Sequence, residues 1–553
     1  MEIFFNILIM MLVVSVSGMA QRFIHYQMPL PLLQIAAGTI MACPTFGLHI
    51  DFDSELFLIF LVPPLLFVDA WKIPASEFMH HRREIIGLAF ALVIVTIVGI
   101  GYLIYWTIPG INLISAFCLS AVLSPTDAVA LTSLVGEGRI PKKIMAILQG
   151  EALINDASSL VALKFTVAMA IGEMQFSLSD SMWELIKVFW GGVIAGITIT
   201  LLYGKTMHFM SRWSYDDPVT QIIFLLLLPF TTSLVAENAE LSGILAAVAA
   251  GMTVSRSGII RHAPLPLRLR AHNVWMMLES LFNGTVFVLL GLQLPRIIKF
   301  FMMQIQTDSN DSKIKFWMPF LYVVLVYMAL VLVRLIWLLT MRYISRFFLT
   351  KNPLEFGKYT WRDLLIACFA GVRGAITLAG VLSIPTFIHF NQEFPARNEL
   401  IFLASGVILF SLLIGMIILP FLLRGVSLRD KFNLNREIQQ ARSLMASVAI
   451  KSLYKMEERL TYDTTKENID TELVQEASSR VIGYMRRRLL DDEGKTNIEQ
   501  VLFVDDLERR FRLTGIRAER GEVFHLRATK QISDETMHKL LYELDLQEEL
   551  LKE

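Results

Sequence analysis

Five ionisable residues stand inside stretches otherwise apolar enough to lie in lipid: Asp69, Asp127, Glu151, Asp156 and Arg373. A charge at mid-membrane costs at least ~2.5–3.5 kcal/mol on insertion scales, so each is a functional candidate. Asp127 closes the run Leu123-Ser124-Pro125-Thr126-Asp127. Pro125 removes a backbone donor and clashes with the preceding turn, so the helix breaks there. Carbonyls freed inside a membrane need partners, either a water-lined cavity or an ion. Thr126, Asp127 and, as an additional candidate, Ser124 therefore lie beside useful irregular backbone. Arg373 occupies a second interruption, Gly371-Val372-Arg373-Gly374-Ala375, with Gly380 and Pro385 beyond it. Interrupted segments in matching positions of two halves point to a site built from inverted repeats. The broken helices present partial charges of both signs, which Asp127 and Arg373 are suited to neutralise where they cross.

Between these breaks lies Gly150-Glu151-Ala152-Leu153-Ile154-Asn155-Asp156. Glu151 and Asn155 are four apart and share a helix face. Asp156 follows about 100° further round. A buried carboxylate flanked by an amide is a hard-oxygen cage suited to Na⁺ or Li⁺, and the same carboxylate can instead take a proton. A site that holds a cation or a proton, never both, is the minimum apparatus for exchange. On this reading Asp156, Asn155, Asp127 and Thr126 bind cation or proton, with Asp156 the Na⁺/Li⁺ ligand. Glu151 and Arg373 form a supporting ion pair, and Asp69 is a further candidate. Lys164 and Arg334 are read as snorkelling or pairing locally, and Glu237 and Glu279 receive no role. Cys43, Cys118 and Cys368 sit in apolar runs without metal-ligand spacing and read as small buried hydrophobes.

The elements that must position these residues follow from composition. The 553-residue chain is 54% hydrophobic and 18% charged, against about 25% charged in soluble proteins. Residues 1–424 hold 28 of the 50 Lys and Arg, and the last 129 residues hold 22. A spanning helix needs roughly 20 apolar residues. About thirteen stretches qualify on that measure, near 3–20, 28–46, 54–70, 85–106, 112–135, 143–171, 183–203, 219–236, 241–254, 271–293, 316–341, 362–385 and 398–423. The first lacks a basic leader and a cleavage site, so it reads as a retained helix. Assigning connections alternately places eighteen Lys and Arg on one side and five on the other. The basic side is then cytoplasmic, the N-terminus outside and the tail inside. The expected fold is an all-α polytopic membrane protein with inverted repeats and two crossed, unwound helices over 1–424, plus a small helical cytoplasmic tail over 425–553. Within that tail, 433–459 and 471–490 have amphipathic helical patterns. The run Arg486–Arg488 reads as a solvated face with some attraction for lipid headgroups.

Residues 5–425 resemble the Na⁺/H⁺ exchanger branch of the monovalent cation/proton antiporter superfamily. The motifs that carry the resemblance are Pro63-Pro64-Leu65-Leu66-Phe67, Ser124-Pro125-Thr126-Asp127, Gly150 to Asp156, Ala236-Glu237 with Ser242-Gly243, Asn283-Gly284, and Gly371 to Ala375. The resemblance implies that Asp156 binds the cation, that Asn155 before it marks the electroneutral type, and that Glu151 pairs with Arg373. It also implies an inverted-repeat core beside a dimerisation domain, an elevator-like movement and a homodimer. Two positions depart from the family pattern. Ala152 stands where members commonly carry Ser, and the acid after the Pro-Pro-x-x-Phe run is displaced one residue, to Asp69 behind Val68.

The expected activity is therefore electroneutral exchange of Na⁺ or Li⁺ for H⁺ across the inner (plasma) membrane, in contact with membrane lipid and without a cofactor or nucleic acid. K⁺/H⁺ exchange by the same mechanism is the alternative, and a cation channel or sensor on the same fold is a more distant one. An enzyme is disfavoured. The membrane part carries no nucleotide loop, His-rich cluster or Ser/His/Asp set, and Gly136-Glu137-Gly138 is too short for a phosphate loop.

Overall fold

The computed structural model describes residues 2–23, 28–42, 60–73, 75–136, 138–171, 178–212, 218–259, 265–307, 312–347, 359–385, 387–388, 392–424, 498–529, 531–532 and 534–552, with parts of 444–458 and 476–483. The chain forms two compact units, Met1–Ser427 and Leu428–Glu553. With no water in the bilayer core, backbone polar groups must be satisfied within the segment, which selects helices for the first unit. They are α1 (Glu2–Phe23), α2 (Leu30–Met41), α3 (Val62–Lys72), α4 (Ala75–His80), α5 (Arg82–Thr107), α6 (Leu113–Leu123), α7 (Ala128–Val135) and α8 (Lys142–Ile171). Next come α9 (Leu178–Arg212), α10 (Pro218–Asn238), α11 (Gly243–Ser257), α12 (Leu265–Thr307), α13 (Ser312–Phe347), α14 (Trp361–Phe369) and α15 (Ala375–Leu382). A two-residue antiparallel pair, β1 (Phe387–Ile388) and β2 (Gln392–Glu393), leads into α16 (Arg397–Leu423).

Among the described residues, seven helices are long and apolar enough to cross a membrane by themselves. Helices α6 and α7 qualify as a pair bent by 51°. Three shorter apolar helices fall in α1, α2 and α11. Every apolar stretch read from the sequence is mostly helical in its described part, and two of them, 112–135 and 362–385, are broken in the middle. The short break between α10 and α11 falls at residues 239–242, just past the expected Glu237 and Asn238, which end α10. Glu240 adopts a left-handed φ of 57°, and the Ser242 hydroxyl caps α11 by accepting the Leu245 amide. The interval 362–385 is likewise two helices with irregular backbone between them. Cys43 lies outside the described residues.

Packing separates two sets of helices. One set joins α1, α2, α3, α9, α10, α11 and α12; the other joins α5, α6, α7, α8, α13, α14, α15 and α16. Small residues allow the closest crossings, as in other membrane bundles. At the α2–α12 crossing a Cβ on Gly38 would lie 2.2 Å from the Val288 carbonyl oxygen, and one on Gly291 would lie 2.1 Å from that of Ile35. Large apolar side chains such as Phe5, Trp106, Leu202 and Ile417 point outward, as a lipid-facing surface requires. In α5 a π-turn spans Gly87–Leu92, and the Ser158 hydroxyl of α8 donates to the Ala89 carbonyl there.

The second unit contains α17 (Ile498–Ala528) and α18 (Asp534–Lys552). Ile516 and Val523 are seven residues apart on α17 and pack with Leu544, Leu540 and Leu541. The Arg520 guanidinium donates to Asp545 and Glu548 of α18 at 2.6 Å each. Of the two tail segments singled out in the sequence, the described parts are helical, and Arg486–Arg488 lies outside them. The longest tail helices lie further on, where apolar positions are sparse among many charges and the pattern is correspondingly faint.

Candidate functional site

Both interruptions lie in the second packing set and meet. Pro125 stops α6 at Leu123, and the chain runs through Ser124–Thr126 before α7 starts at Ala128. Asp127 is the N-cap of α7 and accepts from the Val129 and Ala130 amides at 2.8 Å. Its second carboxylate oxygen accepts from the amide of Ala375, the first residue of α15, at 3.1 Å. The Asp127 amide donates to the Val372 carbonyl at 2.8 Å. One carboxylate thus serves the positive ends of two half-helices. The crossing is tight enough that a Cβ on Gly374 would fall 1.8 Å from Asp127 Oδ2.

Arg373 does the converse. Its Nε donates to the carbonyl of Leu123, the last residue of α6, at 3.1 Å. Its Nη1 donates to the carbonyl of Gly371, just past α14. Its backbone amide donates to the Ser411 hydroxyl of α16 at 3.1 Å. The expectation that Asp127 and Arg373 neutralise opposite half-helix ends matches this geometry.

The expected Glu151–Arg373 ion pair does not form. Glu151 is fully buried on α8 and is held instead by Arg334 of α13, with Nη1–Oε1 at 2.5 Å and Nη2–Oε2 at 2.7 Å. The Arg334 Nε donates to the Ala367 carbonyl of α14 at 3.0 Å. The reason is local: Arg373 spends its guanidinium on carbonyls released by the two breaks, while α13 packs against α14 and brings a second arginine to the carboxylate. Arg334 is therefore a core residue and not a snorkelling one. Lys164 does pair locally, with Glu237 at 3.3 Å.

From this bidentate pair a chain of hydrogen bonds leads through the α6–α7 break. The Thr126 hydroxyl donates to Glu151 Oε1 at 3.4 Å, and the Asn155 amide donates to Thr126 Oγ1 at 3.3 Å. The Asn155 side-chain oxygen is buried without a hydrogen-bond partner. Ser124 turns its hydroxyl back onto the Ala121 carbonyl at 2.9 Å and does not face the cavity below.

A cavity of about 790 Å³ opens beside the crossing. Asp127, Asp156 and Ala152 line it from the broken-helix set, and Asp69, Lys72 and Glu279 line it from α3 and α12. Asp156 is nearly fully buried at its wall, and Ala152 lies one helical turn before it on α8. The displaced acid is accommodated: Asp69 faces the cavity while Val68 packs with Phe67 and Trp275 in a separate apolar cluster. Lys72 and Glu279 form an ion pair across α3 and α12. Among the described residues no three His, Cys, Asp or Glu side chains converge closely enough to hold a metal ion. The structure thus brings Asp127, Asp156 and Asp69 to one cavity and places Thr126, Asn155, Glu151 and Arg373 in the packed layer behind it. Sequence reasoning named Arg334 and Glu279 but gave neither a place in the site, although each carried the same intramembrane charge that singled out the others.

Comparisons with known proteins agree with this architecture. The family model for the transmembrane part of sodium/hydrogen exchangers matches residues 8–425. The chain is 58% identical over 553 residues, all of both chains, to a protein of Escherichia coli (strain K12) described as the uncharacterized Na(+)/H(+) exchanger YjcE. It is 33% identical over 544 residues to the sodium, potassium, lithium and rubidium/H(+) antiporter of Bacillus pumilus (strain SAFR-032), spanning 98% of this chain and 77% of that one. The fold is similar to that of the sodium proton antiporter MjNhaP1 from Methanocaldococcus jannaschii at pH 8, with a TM-score of 0.57 and 16% identity over 77% of this chain and all of that one. Family match, identity and fold agree: this multi-pass membrane protein belongs to the sodium/hydrogen exchanger branch of the monovalent cation/proton antiporters.

Proposed function

We propose that the chain exchanges Na⁺ or Li⁺ for H⁺ with one charge moving each way, and that Asp156 binds the cation and the proton in turn. The observation that carries this reading is Asp156 itself, a carboxylate nearly fully buried yet lining a wide cavity beside two broken helices. Its neighbours limit what can happen there. Asp127 is held by three backbone amides, so it serves as a fixed negative charge and not as a mobile proton carrier. Glu151 is neutralised by Arg334, so it adds no free charge to the site. Asp156 is left as the group whose charge can be matched either by a cation, with Asp127, Thr126 and Asn155 close behind, or by a proton. Exchange of one for the other keeps the charge of the site constant, and movement of the broken-helix set past the first set would expose it alternately to each side.

The cavity is also lined by Gly136, Gly138 and Lys142, which belong to connections on the basic side. With that side in the cytoplasm, this conformation is open inward. The protein is then a plasma-membrane antiporter with its N-terminus outside and residues 425–553 in the cytoplasm, and it works as a homodimer. A second reading, K⁺/H⁺ exchange, is favoured by Ala152, which withdraws a hydroxyl from the cavity wall, and by the potassium and rubidium in the Bacillus pumilus relative's description.

Proteoliposomes with an internal pH dye test both readings. Na⁺, Li⁺, K⁺ and choline are added in turn to wild type and Asp156→Asn, with membrane potential clamped in a separate run. Proton movement driven by Na⁺ or Li⁺ in wild type alone, unchanged by the clamp, is expected. A response to K⁺ alone changes the substrate. Equal behaviour of variant and wild type removes Asp156 from the mechanism.

A further inference from the structure

The cavity is walled on one side by a lysine–glutamate pair that the exchange mechanism does not use. Lys72, the last residue of α3, is bonded to Glu279 on α12, and both side chains line the cavity that reaches Asp156. Glu279 is nearly buried, with a side chain 10% exposed, whereas Lys72 is 43% exposed. Both belong to the helix set that does not carry the broken helices, so their charges stand across the cavity from Asp127 and Asp156. Asp69 precedes Lys72 by one helical turn on α3 and lines the same cavity. A cation approaching Asp156 passes a tethered ammonium whose charge is cancelled locally by Glu279. Lys142 lines the same space, so four carboxylates (Asp69, Asp127, Asp156 and Glu279) face two lysines there.

We propose that the Lys72–Glu279 pair sets the apparent affinity for the transported cation: Glu279 holds the Lys72 ammonium away from Asp69 and from the path to Asp156. Without Glu279, the ammonium is an unpaired positive charge at the cavity wall, and its next carboxylate along the helix is Asp69. Without Lys72, Glu279 adds an uncompensated negative charge that draws cations in. Neither residue touches the ion at Asp156; both act through the field of the cavity. A unit charge roughly 10 Å from the ion, in a medium between water and protein, changes its binding by about fivefold. The inference rests on Asp156 being the exchange site.

The test is a set of four full-length proteins in proteoliposomes: wild type, Glu279→Gln, Lys72→Met and the double variant, with the dependence of proton movement on Na⁺ read as KM and kcat. Glu279→Gln should raise the KM by about fivefold and Lys72→Met should lower it by a similar factor, with smaller changes in kcat. The double variant, which restores charge balance without restoring the bond, should return KM to near the wild-type value. A pair that only ties α3 to α12 predicts otherwise: both single variants impair transport in the same direction and the double variant is no better. That result, or an unchanged KM in all four, overturns the inference. If the inference fails while Asp156→Asn is inactive, the exchange reading stands. If wild type moves no protons with Na⁺, Li⁺ or K⁺, the exchange reading fails and this inference falls with it.

Discussion

Replacing Arg334 with methionine is the most informative perturbation of the core. The variant keeps the length of the stem but leaves Glu151 as an unpaired carboxylate with no exposed surface. It removes both bonds to Glu151, at 2.5 and 2.7 Å, and the bond to the Ala367 carbonyl at 3.0 Å. Breaking a buried ion pair from one side is typically worth about 3–5 kcal/mol, because the remaining charge stays desolvated. Removing the second charge as well relieves most of that, since neutral groups of similar shape are tolerated. Arg334→Met should therefore lower the unfolding temperature of the detergent-purified protein sharply, and Glu151→Gln with Arg334→Met should recover a large part of the loss. In the double variant the Thr126 hydroxyl can still donate to the side-chain amide oxygen that replaces the carboxylate. The control is Arg373→Met, which breaks the bonds to the Leu123 and Gly371 carbonyls and has no bond to Glu151 to lose. Its destabilisation should not be relieved by Glu151→Gln. Fluorescence-detected thermal denaturation of the single and double variants beside wild type gives both couplings. A strong Glu151–Arg373 coupling with a weak Glu151–Arg334 coupling would refute the assignment of the pair.

Two further substitutions probe the crossing and the cavity wall. Gly374→Ala places a methyl 1.8 Å from Asp127 Oδ2, and the displaced carboxylate loses caps on two half-helices at about 1 kcal/mol each. Reduced thermal stability together with lost transport is expected, and a fully active, fully stable variant would show that the crossing is looser than drawn. Ala152→Ser restores a hydroxyl one turn before Asp156 on the cavity wall. It should lower the KM for Na⁺ and Li⁺ relative to K⁺ in the pH-dye assay, and an unchanged ratio would remove that position from ion selection.

Much of the broken-helix architecture was legible because its causes are local. Pro125 ends a helix by its own chemistry, and a glycine-flanked arginine in an apolar run marks a second break without reference to anything distant. Asp127 lies next to one of the ends it caps, and Arg373 lies in the break whose carbonyl it binds, so their partners among the half-helix termini follow from position. Apolar length likewise located the helices, since lipid permits little else. The cavity-facing position of Asp69 could not be reached this way. A one-residue displacement on α3 exchanges a packed position for a cavity-lining one, but which is which depends on where Phe67 and Val68 meet Trp275 of α12.

The Glu151–Arg334 pair shows where such reasoning ends. Two intramembrane arginines, at 334 and 373, were available for one buried glutamate, and the family resemblance favoured Arg373. What decides between them is the number of acceptors each arginine already has. Arg373 sits at a break that exposes the carbonyls of Leu123 at the end of α6 and of Gly371 just past α14, and these accept its guanidinium as a carboxylate would. Arg334 sits in the uninterrupted helix α13, whose own carbonyls are engaged along the helix, so it must reach out to satisfy its charge. It reaches Glu151 and Ala367 at once, tying α8 and α14 to α13. A general expectation follows for chains of this type: an intramembrane arginine at a helix break serves backbone, and one in mid-helix serves a carboxylate. The same logic separates the acids. Asp127 stands at a break and is consumed by amides, whereas Asp156 stands in the unbroken α8 with a cavity in front of it. Of the two it is Asp156 whose carboxylate is not taken up by helix-end amides, which is why the proposed exchange is placed there.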